Sequence, residues 1–196
     1  MKKIILFISL SLGITLAYSQ DGVNLIALGN KEMNEGNFKQ AETYYTMALI
    51  KEPQNWHLYT LLGFSFHKQK YFNKADSFYN ISILNDSNQS KAYWYKGMNL
   101  IKLKKDSLAI LNYKKFILIE KSGSHIEAYK QISKSYERIL RRTGLTNIEI
   151  DDLLHHLNQI LILDPSAPEA PQIHNFIESI KSKRPSNVVG KWKLES

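Results

Sequence analysis

Residues 22–55 read GVNLIALGNKEMNEGNFKQAETYYTMALIKEPQN, and the chain then repeats the phrase as WHLYTLLGFSFHKQKYFNKADSFYNISILNDSNQ over 56–89 and SKAYWYKGMNLIKLKKDSLAILNYKKFILIEKSG over 90–123. Laid one beneath another, Gly29, Gly63 and Gly97 share a column at intervals of 34 residues, and so do Ala41, Ala75 and Ala109. Leu25, Tyr59 and Tyr93 form a third column, and Tyr45, Tyr79 and Tyr113 a fourth. Four columns agreeing on one period of this length mark a stacked array of helical hairpins, each unit burying its apolar face against its neighbours. Such an array presents an extended surface, and the work it implies is holding a partner.

Within the first unit, Leu25, Leu28, Gly29 and Glu32 follow helical spacing, Gly36 and Asn37 interrupt it, and Phe38, Ala41, Tyr45 and Ala48 resume it until Pro53. This is helix, turn, helix, stop. Small residues at Gly29 and Ala41 are expected to let the two antiparallel helices approach. Tyr45 and Leu25 are expected to fill the space between one hairpin and the next.

These columns resemble the tetratricopeptide repeat family. The first unit, 22–55, matches its pattern at Leu25, Leu28-Gly29, Ala41, Tyr45, Ala48 and Pro53. The second, 56–89, keeps Tyr59, Leu62-Gly63, Phe66, Ala75 and Tyr79 but has Ser82 for the second alanine and Ser87 for the proline. The third, 90–123, keeps Tyr93, Gly97, Leu100, Ala109 and Tyr113, with Lys96 before the glycine and Phe116 at the second small position. The resemblance implies an all-α fold, a right-handed α-solenoid of antiparallel helix hairpins with a C-terminal capping helix, and a non-catalytic role in binding a protein or peptide partner.

Beyond Gly123 the period is lost while paired helices continue. Ser124 and Glu127 are spaced as a capping box, and Tyr129, Ile132, Ser133 and Tyr136 then keep helical spacing. A long turn is expected from Arg141 to about Asn147 around Gly144, and Thr146 with Glu149 forms a second box opening a helix that closes at Asp164-Pro165. Residues 124–165 therefore read as a fourth, degenerate repeat with an insertion in its turn. Ser166 and Glu169, with Pro168 in the first turn, are expected to open a capping helix over 166–182 carrying Ile173, Phe176, Ile177 and Ile180. The tail, 183–196, is read as a disordered end or a strip around Trp192 folding back on the helices.

At the other end, Lys2 and Lys3 precede an apolar run from Ile4 to Ala17, and Ala17-Tyr18-Ser19 places small residues before a cut at Gln20. Residues 1–19 read as a secretory signal peptide, which points to a periplasmic or secreted bacterial protein. An uncleaved anchor stays open, although the run is shorter than the ~20 apolar residues a spanning helix needs. The formal charge of +8 becomes +6 without Lys2 and Lys3. Basic clusters at Lys102, Lys104 and Lys105, at Arg138, Arg141 and Arg142, and at Lys181, Lys183 and Arg184 suit solvated faces, an acidic partner or an anionic envelope surface. Nucleic acid does not suit an exported chain, and contact with a membrane is expected only through the signal peptide. The absence of cysteine leaves stability to packing alone.

The concave wall of such an array is lined by the first helix of each hairpin. Its offsets select Ile26, Asn30 and Met33 in the first unit, Thr60, Phe64 and His67 in the second, and Trp94, Met98 and Ile101 in the third. The set is apolar for a surface, and an aromatic-and-methionine groove suits a hydrophobic peptide or helix. A groove covered from within, by the tail around Trp192, is the other reading. Family members that clamp a C-terminal carboxylate use lysine, asparagine and arginine at set positions; Asn30 and Lys91 match, whereas Ile26, Leu61 and Tyr95 do not, so no carboxylate clamp is predicted. The chain contains no phosphate-binding glycine loop, serine elbow or zinc-helix signature, and no cofactor is expected. His155 and His156 are adjacent and diverge on a helix, and Asp151 and Asp152 suit a helix start.

Overall fold

A computed structural model describes residues 24–122, 125–184 and 190–193. The apolar leader and Ser124, with its capping box, lie outside the described residues. Among those described there are nine helices. They are α1 over 24–35, α2 Phe38–Lys51, α3 Trp56–Lys68, α4 Phe72–Asn85, α5 Ser90–Lys102, α6 Asp106–Ile119, α7 Ile126–Thr143, α8 Asn147–Leu163 and α9 Ala170–Lys183. The chain divides into two compact units, one ending at Tyr95 and one beginning at Lys96, so the division falls inside α5.

In the first unit α2 packs on α3 and α3 on α4 around Ala41, Tyr45, Ala48, Leu58, Leu62, Phe66, Ala75 and Tyr79, all buried. The glycine and tyrosine columns turn out to be one contact. A Cβ placed on Gly29 would lie 2.4 Å from Tyr45 Cε1, and one on Gly63 would lie 2.6 Å from Tyr79 Cε1. The tyrosine ring therefore lies on the glycine of its own hairpin, where Tyr45 had been expected to fill the space between hairpins. Gly97 and Tyr113 make the same pair in the second unit, at 2.8 Å. Only a missing side chain leaves room for a ring against a helix backbone.

The turns repeat as faithfully. Asn37 N donates to Glu32 O, Tyr71 N to Phe66 O and Lys105 N to Leu100 O, each closing the first helix of its hairpin with a six-to-one bond. The residue ahead of each donor is left-handed: Gly36 at φ 82, Lys70 at φ 67 and Lys104 at φ 58. The two lysines occupy a conformation that glycine adopts without steric cost.

In the second unit α6 packs on α7, α7 on α8 and α8 on α9. The long turn expected from Arg141 to about Asn147 is shortened to 144–146, with helix taking up 141–143. One period after Lys104 the chain stands at Arg138, yet α7 continues to Thr143 for 18 residues, against 13 in α3 and α5, and closes only at left-handed Gly144 (φ 79). Thr146 and Glu149 make the anticipated capping box, each side chain bonded to the other's backbone N–H. Ser166 and Glu169 do not make theirs. The helix begins at Ala170 with Glu169 as its N-cap and Pro171 in its first turn, while the Ser166 hydroxyl turns to Asp164. Glu169 instead pairs with Lys130. Trp192 exchanges backbone bonds with Leu145, N to O at 2.7 and 2.8 Å, so residues 190–193 lie against the α7–α8 turn.

Candidate partner-binding surface

The first unit carries seven of the nine groove candidates. Ile26 and Met33 are half-buried against the core cluster. Asn30 is exposed, but its Oδ1 accepts from the Tyr45 hydroxyl at 2.8 Å. Thr60 is a correction: it is fully buried, and its hydroxyl lies 2.8 Å from Ser82 Oγ, which also donates to Trp56 O. The polar pair explains why Ser82 stands where alanine was expected, since a buried hydroxyl needs a partner. His67 is also withdrawn from the surface, its ring stacked on Phe64 and edge-on to Phe72.

Phe64, Trp94 and Tyr95 are half-buried. The Phe64 and Tyr95 rings stack with centroids 4.3 Å apart, and Lys68 Nζ lies 5.3 Å from the Phe64 centroid. An offset aromatic stack beside a cation offers both a flat apolar contact and a charged rim. Burial pushes the Tyr95 hydroxyl pKa up, so the ring is neutral at physiological pH.

In the second unit Met98 and Ile101 are half-buried on α5, and Ile101 borders a cavity of about 460 Å³ with Lys104, Asp106, Arg138, Arg141 and Arg142. Two basic clusters far apart in sequence meet there. Asp151 and Asp152 do more than complement a helix start: Asp151 takes a two-pronged bond from Arg184 at 2.5 and 3.2 Å, bracing α8 to the end of α9. Asp152 accepts from Lys114 Nζ at 2.5 Å and from the Tyr136 hydroxyl, joining α6, α7 and α8. Burial would raise the Asp152 pKa, but those two donors hold it below the ordinary carboxylate range. His156, buried, has Nε2 3.4 Å from Asp152 Oδ1 without a hydrogen bond. Burial depresses its pKa to about 4, outweighing a carboxylate already committed to two donors. Among the described residues no group of three or more acidic, histidine or cysteine side chains is arranged to hold a metal.

Three exposed apolar positions, two in the first unit and one in the second, were not anticipated. Ile50, Leu84 and Leu118 are 78, 85 and 69% exposed, each near the end of the second helix of its hairpin. Their spacing is again 34 residues, so the period contained the signal. These strongly exposed apolar side chains thus sit on second helices, while the first-helix candidates other than Asn30 are half-buried or buried.

Solved structures share this architecture. A tetratricopeptide repeat protein from Parabacteroides merdae superposes with a TM-score of 0.66 at 18% identity, covering 83% of this chain and 61% of that one. MamA gives 0.64 at 19%, covering 80% and 85%. The fold is the tetratricopeptide-repeat fold. The first tetratricopeptide domain of Spaghetti (RPAP3), solved with the HSP90 peptide SRMEEVD, matches with a TM-score of 0.57 at 25% identity over 62% of this chain and 94% of that one. By sequence, RNA polymerase II-associated protein 3 of Gallus gallus is 36% identical over 69 residues, 35% of this chain. The matched stretch is about a tenth of that relative's length. No protein-family model matches the chain.

At the clamp positions of this tetratricopeptide-repeat fold, Ile26 and Leu61 pack on the core and Tyr95 stacks on Phe64. Asn30 is occupied by Tyr45. Of the five positions that would cradle a carboxylate, Lys91 is exposed and charged, while the other four are apolar, stacked or already bonded.

Proposed function

We propose that the chain is a non-catalytic protein-interaction scaffold that binds an apolar or aromatic peptide segment on the first helices of its hairpins, and that it is exported to a bacterial envelope. The observation that carries the binding reading is the Phe64–Tyr95 stack, half-buried and edged by Lys68, with Trp94 the half-buried residue before Tyr95 and Ile26 and Met33 half-buried on α1. Aromatic rings with low rotamer entropy are the usual anchors of a peptide contact. The fold shared with a domain solved around an HSP90 peptide supports peptide binding in general. The apolar clamp positions favour a segment recognised by its side chains over one recognised by its terminal carboxylate. Export rests on the lysine-led apolar run over 4–17.

Peptides selected on the chain from a displayed random library, titrated by calorimetry, test this. Phe64→Glu with Trp94→Glu should abolish binding while helical circular dichroism is kept. Undiminished affinity in the double variant refutes the site. A second reading, an envelope factor that meets a cell-wall glycan through its basic faces, is favoured by the convergence of Lys104 with Arg138, Arg141 and Arg142. Charge-driven binding weakens steeply with ionic strength, and apolar binding does not.

A further inference from the structure

The cavity of about 460 Å³ in the second unit exists because α7 overruns the repeat. Where the earlier first helices end, α7 adds a stretch carrying Arg138, Arg141 and Arg142, whose i, i+3, i+4 spacing puts three guanidinium groups on one face. Like charges so placed repel; in the cavity lining one carboxylate, Asp106, counters them, while Glu137, outside that lining, also attracts Arg141 and Arg138. Asp106, 3% exposed at the first position of α6, accepts from Arg138 Nε at 2.7 Å and faces Arg142 Nη1 at 3.4 Å. Arg138 Nη2 also donates to Ser135 Oγ at 2.8 Å. Arg138 is thereby held in a fixed orientation from two sides.

Neither of the remaining cations is bonded to Asp106, and Arg141 feels only the longer-range attraction of Glu137. Arg141 is exposed, Lys104 stands in the left-handed turn after α5, and neither side chain makes a salt bridge or hydrogen bond among the described residues. Four cations therefore border the cavity against one carboxylate, with Ile101 supplying an apolar side. Guanidinium groups match carboxylates two bonds at a time, and pre-orientation reduces the entropy lost on binding.

We propose that this cavity is a second docking site, one that receives consecutive acidic side chains of a peptide partner, with an apolar neighbour of those residues resting on Ile101. It extends the peptide-binding reading above and is separable from it, because the site lies on α5, α6 and α7 and shares neither Phe64 nor Trp94.

The test is fluorescence anisotropy with the full chain and a fluorescein-labelled peptide of repeated Glu-Glu-Leu units. Lys104→Glu with Arg141→Glu should weaken binding at least ~10-fold, the loss of about one charge-assisted hydrogen bond, with the thermal midpoint unchanged. Lys181→Glu with Lys183→Glu, which reverses a basic cluster elsewhere, and Phe64→Glu with Trp94→Glu should both leave the affinity as it was. Raising salt from about 0.05 to about 0.5 M should weaken the complex. Equal binding by the glutamine version of the peptide overturns the proposal. So does a Lys104, Arg141 variant as tight as the parent, or one that loses anionic vesicles or heparin while the acidic peptide binds neither form.

Discussion

Gly63→Ala adds one methyl group at a place where the fold has no room for it. The new Cβ would stand 2.6 Å from Tyr79 Cε1, 2.7 Å from Cδ1 and 3.1 Å from Cζ. Ordinary carbon contacts are about 3.5–4.0 Å, so ring and helix must separate by roughly 1 Å. Tyr79 is fully buried and its contacts are ring carbons near the middle of a rigid side chain, so rotation offers no relief. Overpacking of this kind costs about 1–3 kcal/mol, and the shortfall puts this site at the upper end. Alanine's better helix propensity returns about 1 kcal/mol, leaving a net loss of about 2 kcal/mol. Urea unfolding followed by circular dichroism should show the midpoint moving down with little change in slope. In a Tyr79→Leu background the clash is gone, and the same Gly63→Ala change should become neutral or stabilising. A Gly63→Ala variant as stable as the parent, or an equal cost in both backgrounds, would refute the claim that the two columns are one contact.

Two tyrosines of that column should answer differently to loss of the hydroxyl. Tyr45→Phe removes the bond to Asn30 and should cost about 1 kcal/mol, whereas the Tyr79 hydroxyl is buried without a partner, so Tyr79→Phe should be neutral or stabilising in the same urea assay. Lys70→Gly relieves a left-handed lysine and should stabilise by up to about 1 kcal/mol, seen as a higher thermal midpoint. His156 titrates near 4 when folded against 6.5 when unfolded, so its contribution is complete above pH 6.5 and is lost as pH falls to 4. That loss approaches about 3 kcal/mol. Urea midpoints taken between pH 7 and 4.5 should fall in the parent and flatten in His156→Leu, and parallel curves would contradict the assignment.

What could be read without coordinates was whatever is local or periodic. The turn at Gly36 and the Thr146–Glu149 capping box follow from backbone groups within a few residues of each other, and stacking follows from a spacing of 34. Even Ile50, Leu84 and Leu118 were visible in that spacing, though their exposure was not. The candidate surface is legible in the sequence only in outline: the first-helix offsets select Phe64 and Trp94, whereas Tyr95, the other half of the stack, stands out only as a departure from the clamp pattern.

The rest was decided by partners far off in sequence. Thr60 is buried because Ser82 satisfies its hydroxyl across the hairpin, and Tyr79 lies on Gly63 because its own hairpin, not the next one, leaves the gap. Helix α7 outruns the repeat, and its arginines find Asp106 some 32 residues earlier. Periodicity says which residues are equivalent. Only side chains meeting in space say whether an equivalent position is filled, bonded or left open to a partner.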